Sequence, residues 1–223
     1  FPTRRSSDLR NDFVNFGPKY SKFAYSSHFG FTLERGGYGL NHVACDSMLM
    51  LSTGDGYFHG RRESRNVVMS NEWQRCEWFP WSDVEVVTWL LPFQWGHIRI
   101  HRVSTPRFLA TAEGGFSVNQ HHLKHSDTQK HSLILHTDSG CSYMGDLLRH
   151  RTSQTVATPP NSNILFAPPA LIPCLYGELP AGTHWLACAV SACLEAQIAV
   201  PEGIAFDHQQ QSLSLCGRII SLT

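Results

Sequence analysis

Tryptophan, arginine and histidine side chains are concentrated between residues 73 and 101, and their types suit contact with a carbohydrate. An aromatic ring stacks on the apolar face of a sugar, while arginine and histidine bind hydroxyl groups or a carboxylate. The predicted sugar-contacting residues are Trp81, Trp89, His97, Arg99 and His101. In the alternative interpretation, the tryptophans pack against an adjacent domain and Arg99 forms an ordinary cross-strand ion pair with Glu85.

Three carboxylates in or shortly after this region are candidate acids or bases: Glu113, Asp83 and Glu85. Hydrolysis of a glycosidic bond generally requires two such groups, which flank the bond that is cleaved. Glu113 precedes Gly114 and Gly115, whose lack of a side chain allows close approach of another backbone at a strand end. A bulge or a sharp bend would explain the two glycines equally well.

Five histidines follow within sixteen positions: His121, His122, His125, His131 and His136. Imidazoles are common zinc ligands, so a metal site is one interpretation of this group. The spacing matches no standard ligand motif, however, and residues 119–130 are a polar stretch typical of a surface loop. The sequence therefore predicts no metal site. It also contains no nucleotide-binding fingerprint, so no cofactor is predicted.

Four of the five predicted sugar-contacting residues depend on an antiparallel hairpin for their positions, and Trp81 lies just upstream of it. Its strands are Asp83–Leu91 and His97–Val103, and the five residues Pro92–Gly96 form its loop. Placing Leu91 opposite His97 sorts the side chains into two faces. The core face then carries Val84, Val86, Thr88, Leu90, Ile98 and Ile100. The polar face carries Glu85, Val87, Trp89, His97, Arg99 and His101.

Turn residues interrupt the whole chain at short intervals, and the segments between them are rich in β-branched and aromatic residues. This spacing predicts an almost all-β fold, an antiparallel β-sandwich or supersandwich with few short helices. A helix is an option around Leu40–Met48. The other predicted strands are Phe23–Leu33, Met48–Ser52, Gly56–Arg62, Trp73–Trp78, Ala112–Val118, Leu133–Thr137, Asn163–Phe166 and His184–Ala192.

The composition restricts the classes of partner. With 18 basic and 18 acidic residues the formal net charge is zero, so nucleic acid is not an expected partner. No apolar run approaches the roughly 20 residues that cross a bilayer, so membrane insertion is not expected. Charged residues make up 16% of the chain, against roughly 25% in typical soluble domains, which suggests surface buried against another domain. Seven singly spaced cysteines favour reduced thiols and a cytoplasmic location.

The first nine residues, Phe1–Leu9, show no apolar periodicity and lead into no predicted element. They resemble a translated sequencing adapter, and an ordinary disordered terminus is the alternative. We therefore expect residues 1–9 to be a non-native or disordered leader. Residues 10–223 are expected to form a single β-sandwich domain, a fragment of a larger protein.

Several segments in consistent order resemble the C-terminal half of the "domain of unknown function 2264" family, over nearly everything after Tyr20. They are Phe23–Phe31, Asp46–Leu51, Trp78–Glu85, His97–Arg102, Ala112–Phe116, Asn163–Phe166 and Leu179–Gly182. Members of this family resemble toroid-type polysaccharide-degrading enzymes, in which an antiparallel β-sandwich follows an N-terminal (α/α)6 barrel. Related proteins are glucuronidase-like glycoside hydrolases that act on uronic-acid sugars.

The resemblance implies that the chain is the β-sandwich of a carbohydrate-active enzyme, hydrolase-like or lyase-like, and is inactive without its helical toroid. Its implied partners are a polysaccharide or oligosaccharide and the missing toroid, and a homo-oligomer is also compatible with it. The resemblance assigns no catalytic residue to this chain. The alternative function is that of a non-catalytic carbohydrate-binding or assembly module.

Overall fold

The computed structural model describes residues 23–25, 31–33, 43–45, 49–54, 65–69, 73–93, 96–137, 140–157, 170–193, 204–215 and 217–222. Most of these residues lie in nineteen strands, and one 3-10 turn, Gln120–His122, interrupts them. The strands are β1 Phe23–Tyr25, β2 Phe31–Leu33, β3 Val43–Cys45, β4 Leu49–Ser52, β5 Arg65–Met69, β6 Gln74–Trp81, β7 Val84–Phe93, β8 Gly96–Thr105, β9 Leu109–Gly114, β10 Phe116–Asn119, β11 Leu123–Gln129, β12 Ser132–Thr137, β13 Gly140–Asp146, β14 Thr152–Ala157, β15 Ala170–Leu179, β16 Gly182–Cys193, β17 Ile204–Asp207, β18 Ser212–Leu215 and β19 Arg218–Ser221.

The strands form three antiparallel sheets. The first sheet has eight strands in the order β1-β2-β3-β10-β15-β9-β4, with β14 also paired to β15. The second sheet has eight strands in the order β11-β12-β13-β16-β8-β7-β6-β5, and the third contains β17-β18-β19. The predicted antiparallel, almost all-β sandwich is confirmed. No helix in the described part of the chain could cross a bilayer.

Short corners carry the chain from one sheet to the next. Pro106 lies in the corner between β8 and β9, and Pro180 and Ala181 form the corner between β15 and β16, which begins at Gly182. Gly182 has a φ of +138°, a backbone conformation that side-chain-bearing residues rarely adopt. These corners bring residues distant in sequence to facing positions between the first two sheets.

Both faces of the second sheet are buried. One face packs against the first sheet in a cluster of Leu49, Leu51, Cys76, Trp78, Val84, Val86, Leu90, Val103, Leu109, Leu179 and Leu186. The opposite face packs against the third sheet through Val87, Trp89, Leu91, Ile98, Ile100, Tyr143, Ala187, Ala189, Leu213, Ile220 and Leu222. The described strands therefore stack in three layers, and the second sheet is the middle one.

The predicted hairpin is present as β7 and β8, but its predicted register was wrong by one residue. Leu90 lies opposite Arg99 and Thr88 opposite His101, so Leu91 faces Ile98 rather than His97. The strands also extend through Phe93 and from Gly96, which leaves two residues between them instead of a five-residue loop. Since both faces of β7 and β8 are covered, apolar residues occur on each of them, and alternation alone could not select the register.

Several other predicted elements differ in detail. Phe23–Leu33 forms two paired strands, β1 and β2, instead of one. Ala112–Val118 is divided into β9 and β10, and residues 43–45 form β3 where a helix was an option. The polar stretch 119–130, interpreted as a loop, contains β11, an edge strand whose side chains after the first are exposed. Gly56–Arg62 and Asn163–Phe166 lie outside the described residues.

The break between β9 and β10 explains the pair of glycines after Glu113. The Gly115 N–H donates to the Pro173 carbonyl over 2.7 Å. A Cβ at Gly115 would lie 2.9 Å from the Pro173 ring, closer than such atoms normally approach. The close backbone approach that the sequence suggested is therefore present, and it occurs where the first sheet changes from β9 to β10.

Four cysteines lie among the described residues whose side chains are placed: Cys76, Cys141, Cys174 and Cys188. All four are buried free thiols, in agreement with the expectation of reduced cysteines.

Candidate functional site

A buried ionic cluster joins the first two sheets around Glu113. We call it the Glu113 cluster; its members are Glu113 on β9, Arg99 and His101 on β8, Asp146 at the end of β13, Arg151 just before β14 and Cys188 on β16. Glu113 and Arg99 are 0% exposed and Arg151 is 1% exposed. Charged side chains are almost never buried this completely unless they are paired.

The Glu113 carboxylate accepts hydrogen bonds from four side chains. Oε2 accepts from Arg151, and Oε1 accepts from His101 at 3.1 Å, Cys188 at 3.2 Å and Arg99 at 3.4 Å. Burial alone would raise the pKa of Glu113, but His101 and the guanidinium groups of Arg151 and Arg99 hold it well below its ordinary value. The carboxylate is therefore ionised at neutral pH and acts as an acceptor only.

The His101 tautomer follows from its partners. Because the carboxylate can only accept, His101 Nε2 carries the proton, and Nδ1 accepts from the Thr88 hydroxyl at 2.8 Å. The Thr88 oxygen in turn accepts from the Trp78 indole N–H at 3.0 Å. Burial lowers the pKa of His101 despite the neighbouring Glu113 charge, so the imidazole is neutral. In this series of hydrogen bonds from Trp78 through Thr88 and His101 to Glu113, each donor therefore has an acceptor.

Arg99 lies between His97 and the end of β9. Its Nε donates to His97 Nε2 at 2.8 Å, and its Nη1 donates to the Gly114 carbonyl at 2.6 Å. The pKa of His97 lies well below its ordinary value because of burial and the adjacent Arg99 charge. His97 is therefore neutral, and it orients Arg99 towards Glu113.

Arg151 connects Glu113 to the turn between β13 and β14. Its Nε and Nη2 donate to Asp146 Oδ1 at 3.2 and 3.0 Å. Asp146 Oδ2 also accepts from the backbone N–H groups of His150 and Arg151, at 2.7 and 2.8 Å. Burial lowers the pKa of Arg151, but the Glu113 and Asp146 charges outweigh this effect and raise it above its ordinary value. The two positive charges of Arg99 and Arg151 balance the two negative charges of Glu113 and Asp146. Asp146 also fixes the conformation of the turn.

This geometry holds a charge in place and is poorly suited to moving a proton. A carboxylate with a strongly lowered pKa is a weak base, and it has no proton to donate near neutral pH. Burial and the Glu113 charge raise the pKa of the Cys188 thiol well above its ordinary value, so it is not a nucleophilic thiolate either. A catalytic acid or base role for Glu113 stays a prediction. In the structure, the Glu113 carboxylate orients Arg99 and Arg151.

Asp83 and Glu85, the other two candidate carboxylates, lie near the start of β7 and form surface ion pairs. Asp83 binds both terminal nitrogens of Arg107, at 2.6 and 3.0 Å. Glu85 pairs with Arg102 at 3.3 Å, so its partner is not Arg99. Neither pair belongs to the Glu113 cluster.

The residues predicted to contact sugar are divided between three environments. His97, Arg99 and His101 point towards the first sheet and are fully buried. Trp89 lies on the opposite face, where its indole N–H donates to the Leu222 carbonyl at 3.1 Å and its ring stacks on Trp185. Trp81 is partly exposed beneath the Arg107 guanidinium, 5.2 Å from the ring centroid. Sugar contact by these five residues stays a prediction.

A cleft of about 520 Å³ opens beside the turn that Asp146 fixes. We call it the Arg149 cleft; the lining residues used below are Lys130, His131, Tyr143, Asp146, Arg149 and Ile204. Arg149 has a φ of +57°, in the left-handed region that non-glycine residues rarely adopt. Such strain persists where the surrounding structure enforces it, and it is concentrated at functional sites.

The cleft combines cations with an apolar floor. Lys130 and Arg149 are exposed, whereas Tyr143 is buried and belongs to the apolar layer that also contacts Ile204. His131 donates from Nδ1 to the Arg151 carbonyl at 2.7 Å, which leaves Nε2 on the other side of the ring. The sequence analysis missed this cleft. Residue 143 lies on β13, whereas residues 130 and 149 lie in two different turns, and no local motif relates them.

A pH prediction follows from the neutral histidines of this region. An unfolded chain protonates His97 and His101 as the pH falls below about 6.5, whereas burial lowers the pKa of both in the folded chain, which therefore takes up these protons only at lower pH. The free energy of unfolding should therefore fall as the pH decreases from 7 to 5, with a slope of at most about 1.4 kcal/mol per pH unit for each histidine. Glu113, whose folded pKa is lowered, adds a further loss below about pH 4.3.

Urea unfolding at several pH values measures this slope. His101→Gln should reduce the slope between pH 7 and 5, and the difference from the parent curve measures the contribution of this imidazole. A free energy of unfolding that does not change over this range would contradict neutral, buried imidazoles.

Comparisons with known proteins place this fold. The structure is similar to that of a heparan sulfate lyase, HepC from Pedobacter heparinus, with a TM-score of 0.51 and 13% sequence identity. The match covers 89% of this chain and 34% of that one. A heparinase III gene product has 5% identity at a TM-score of 0.51, over 72% of this chain and 27% of that one. The chain thus spans about a third or less of the length of these structures, and the likeness is one of fold.

No curated protein sequence is significantly similar to the chain. The family model of the DUF2264 C-terminal domain, in contrast, matches residues 13–211, which is most of this chain. The resemblance drawn from the sequence segments is therefore confirmed. The chain belongs to the DUF2264 family, and the part of the family that it contains is the C-terminal domain.

Proposed function

We propose that this chain is the β-sandwich portion of a carbohydrate-active enzyme whose substrate contains uronic acid. Three features support the proposal: the DUF2264 C-terminal domain, a fold like that of part of a heparan sulfate lyase, and the Arg149 cleft. The cleft is the observation on which the proposal rests, because it belongs to this chain itself.

The chemistry of the cleft matches an acidic sugar. A uronic acid presents a carboxylate on a ring with apolar C–H faces, and this cleft offers Arg149 and Lys130 above Tyr143 and Ile204. An arginine fork binds a carboxylate with two parallel hydrogen bonds, which gives specificity over neutral sugars. The His131 imidazole adds a hydrogen-bonding group for a hydroxyl.

The Glu113 cluster stabilises the loop that carries this binding group. Asp146 fixes the turn through two backbone N–H groups, and Arg151 ties Asp146 to Glu113 between the sheets. Arg149 is thereby held in its left-handed conformation before any sugar arrives. Pre-organisation of this kind reduces the ordering entropy that binding would otherwise require.

Catalysis by the chain alone is not part of the proposal. Glycosidic bond cleavage requires reacting groups held within a small tolerance around the sugar. Of the three candidate carboxylates, Glu113 is enclosed, and Asp83 and Glu85 are paired with arginines at the surface. We propose that the isolated chain binds acidic oligosaccharide without cleaving it, and that hydrolysis or elimination requires a further domain.

Calorimetric titration of the chain with a glucuronic-acid-containing tetrasaccharide tests the proposal. We expect weak, salt-sensitive binding, because the contact is electrostatic and open to solvent. Arg149→Asn should weaken the affinity at least about fivefold, since asparagine tolerates the left-handed backbone but lacks the charge. Arg65→Asn is the matched control, because Arg65 is an exposed arginine on β5, at the far edge of the second sheet.

Two results would contradict this assignment of the cleft. One is equal binding of a neutral tetrasaccharide such as cellotetraose by the parent chain. The other is an unchanged affinity of Arg149→Asn for the acidic tetrasaccharide while Arg65→Asn also behaves like the parent.

A second candidate function, assembly with another domain, is favoured by one specific surface. Phe79 and Phe108 are 44% and 48% exposed, and Trp81 and Arg107 lie beside them at the same end of the sandwich. Exposed aromatic residues with an arginine are typical of protein interfaces. If this end docks a protein partner, Phe108→Ser should reduce association in sedimentation experiments and leave sugar affinity unchanged.

A further inference from the structure

Three potential metal-ligating side chains meet on the outer face of the β11–β12 hairpin. His125 and Asp127 lie on β11 and His136 on β12, and their ligand atoms all lie within 4.8 Å of one another. The His136 Nε2 lies 3.0 Å from Asp127 Oδ2, and the His125 and His136 rings stack with centroids 4.1 Å apart. This group shares no residue with the Glu113 cluster or with the lining of the Arg149 cleft.

A β-bulge brings the three residues together. The pairing of β11 with β12 shifts between Leu123 and His125, so that His125 lies opposite His136 and Asp127 opposite Ile134. Without the extra residue, Lys124 would lie opposite His136, and Asp127 would lie opposite Leu133 on the other face. Bulges of this kind commonly re-aim side chains, and here the bulge aligns two histidines with a carboxylate.

We propose that His125, Asp127 and His136 form a site for Zn²⁺ or a similar divalent ion. Two imidazoles and one carboxylate are a common three-ligand set for tetrahedral zinc, with water in the fourth position. Zinc bonds of about 2.0–2.2 Å require the ligand atoms to approach one another to roughly 3.4 Å. The present spread of up to 4.8 Å can close by side-chain rotation, because His125 and Asp127 are exposed to solvent.

The position of the site gives the ion a structural role. β11 is the edge strand of the second sheet, and its side chains after Leu123 are exposed, so little apolar packing holds it. An ion bound by both strands would join β11 to β12 across the bulge, where the register of backbone pairing is interrupted. Such binding stabilises the folded chain by mass action.

Titration of the chain with Zn²⁺ in competition with a chromophoric chelator tests the proposal. We expect the parent chain to bind one Zn²⁺. The double variant His125→Ala/His136→Ala should bind Zn²⁺ at least about 100-fold more weakly than the parent. Asp127→Asn, which preserves side-chain shape, should reduce it about tenfold. His121→Ala is the matched control, since His121 is an exposed histidine outside the group, and it should bind as the parent does.

Co²⁺ substitution gives a second readout. The parent should show the visible absorption of tetrahedral Co²⁺ with nitrogen and oxygen ligands, and the double variant should not. Zinc bound by thiols would persist in the double variant and would overturn the proposal. Equal affinity in Asp127→Asn and in the parent, or no binding by the parent, would overturn it as well. Circular dichroism of each variant verifies that the fold is retained.

Discussion

Glu113→Ala should cost about 3–5 kcal/mol of folding free energy or prevent folding, one of the largest effects of any single substitution in this chain. The change removes an anion that four side chains contact and leaves Arg99 and Arg151 facing each other between the sheets. Arginine does not lose its proton in proteins, so the two charges cannot be neutralised. Urea unfolding of the variant beside the parent measures the loss.

Two further variants identify the cause. Glu113→Gln keeps the shape and some hydrogen bonds but removes the charge, so it should be destabilised less than Glu113→Ala but still clearly. Glu85→Ala removes a carboxylate from the partly exposed pair with Arg102 and should change stability by no more than about 0.5 kcal/mol. Equal stability of all three variants would show that the Glu113 cluster contributes nothing to folding.

The comparison of sequence with structure is most informative at the β7–β8 hairpin. Its existence could be predicted, because two apolar segments are separated by turn residues such as Pro92 and Gly96. Its register could not, because that prediction assumed one solvated face. Because the third sheet covers the face that carries Trp89, both faces of the hairpin are buried. The polar residues Arg99 and His101 therefore belong to an internal ion cluster and not to a solvated face.

The missed strands have a similar physical explanation. β15 contains Pro173, which normally argues against a strand, yet it lies where the partner of β15 changes from β10 to β9. β11 is polar along its length because it is an edge strand with exposed side chains. Propensity and periodicity describe strands with one buried face, and neither of these strands is of that kind.

The sites were predictable only in part. Glu113, Arg99 and His101 could be selected from the sequence by residue type and spacing. Their partners Asp146, Arg151 and Cys188 could not, because Arg151 is 38 positions from Glu113 and Cys188 is 75 positions away. Likewise, His125, Asp127 and His136 match no linear metal motif, since a bulge in the strand pairing determines which side chains share a face.

Val86→Lys should destabilise the chain by about 4 kcal/mol or more, because it places an unpaired ammonium between two sheets. Val86 is 0% exposed, lies opposite Val103 and packs in the apolar cluster against the first sheet. The observed register adds a second expectation. Arg99 lies on the same face of the hairpin, so Arg99→Ala should also destabilise strongly, because it removes one of the cations that compensate Glu113.

Equilibrium denaturation of both variants decides between the observed register and the one that the sequence suggested. If Arg99 pointed to solvent or to a ligand, Arg99→Ala would cost little, and only Val86→Lys would unfold the chain. Ile219→Lys is the control, since Ile219 is 79% exposed on β19 and a lysine there stays in water. Val86→Ala, a smaller change at the same position, extends the measurement if Val86→Lys does not fold. A stable Arg99→Ala beside an unfolded Val86→Lys would show that the Glu113 cluster does not hold the two sheets together.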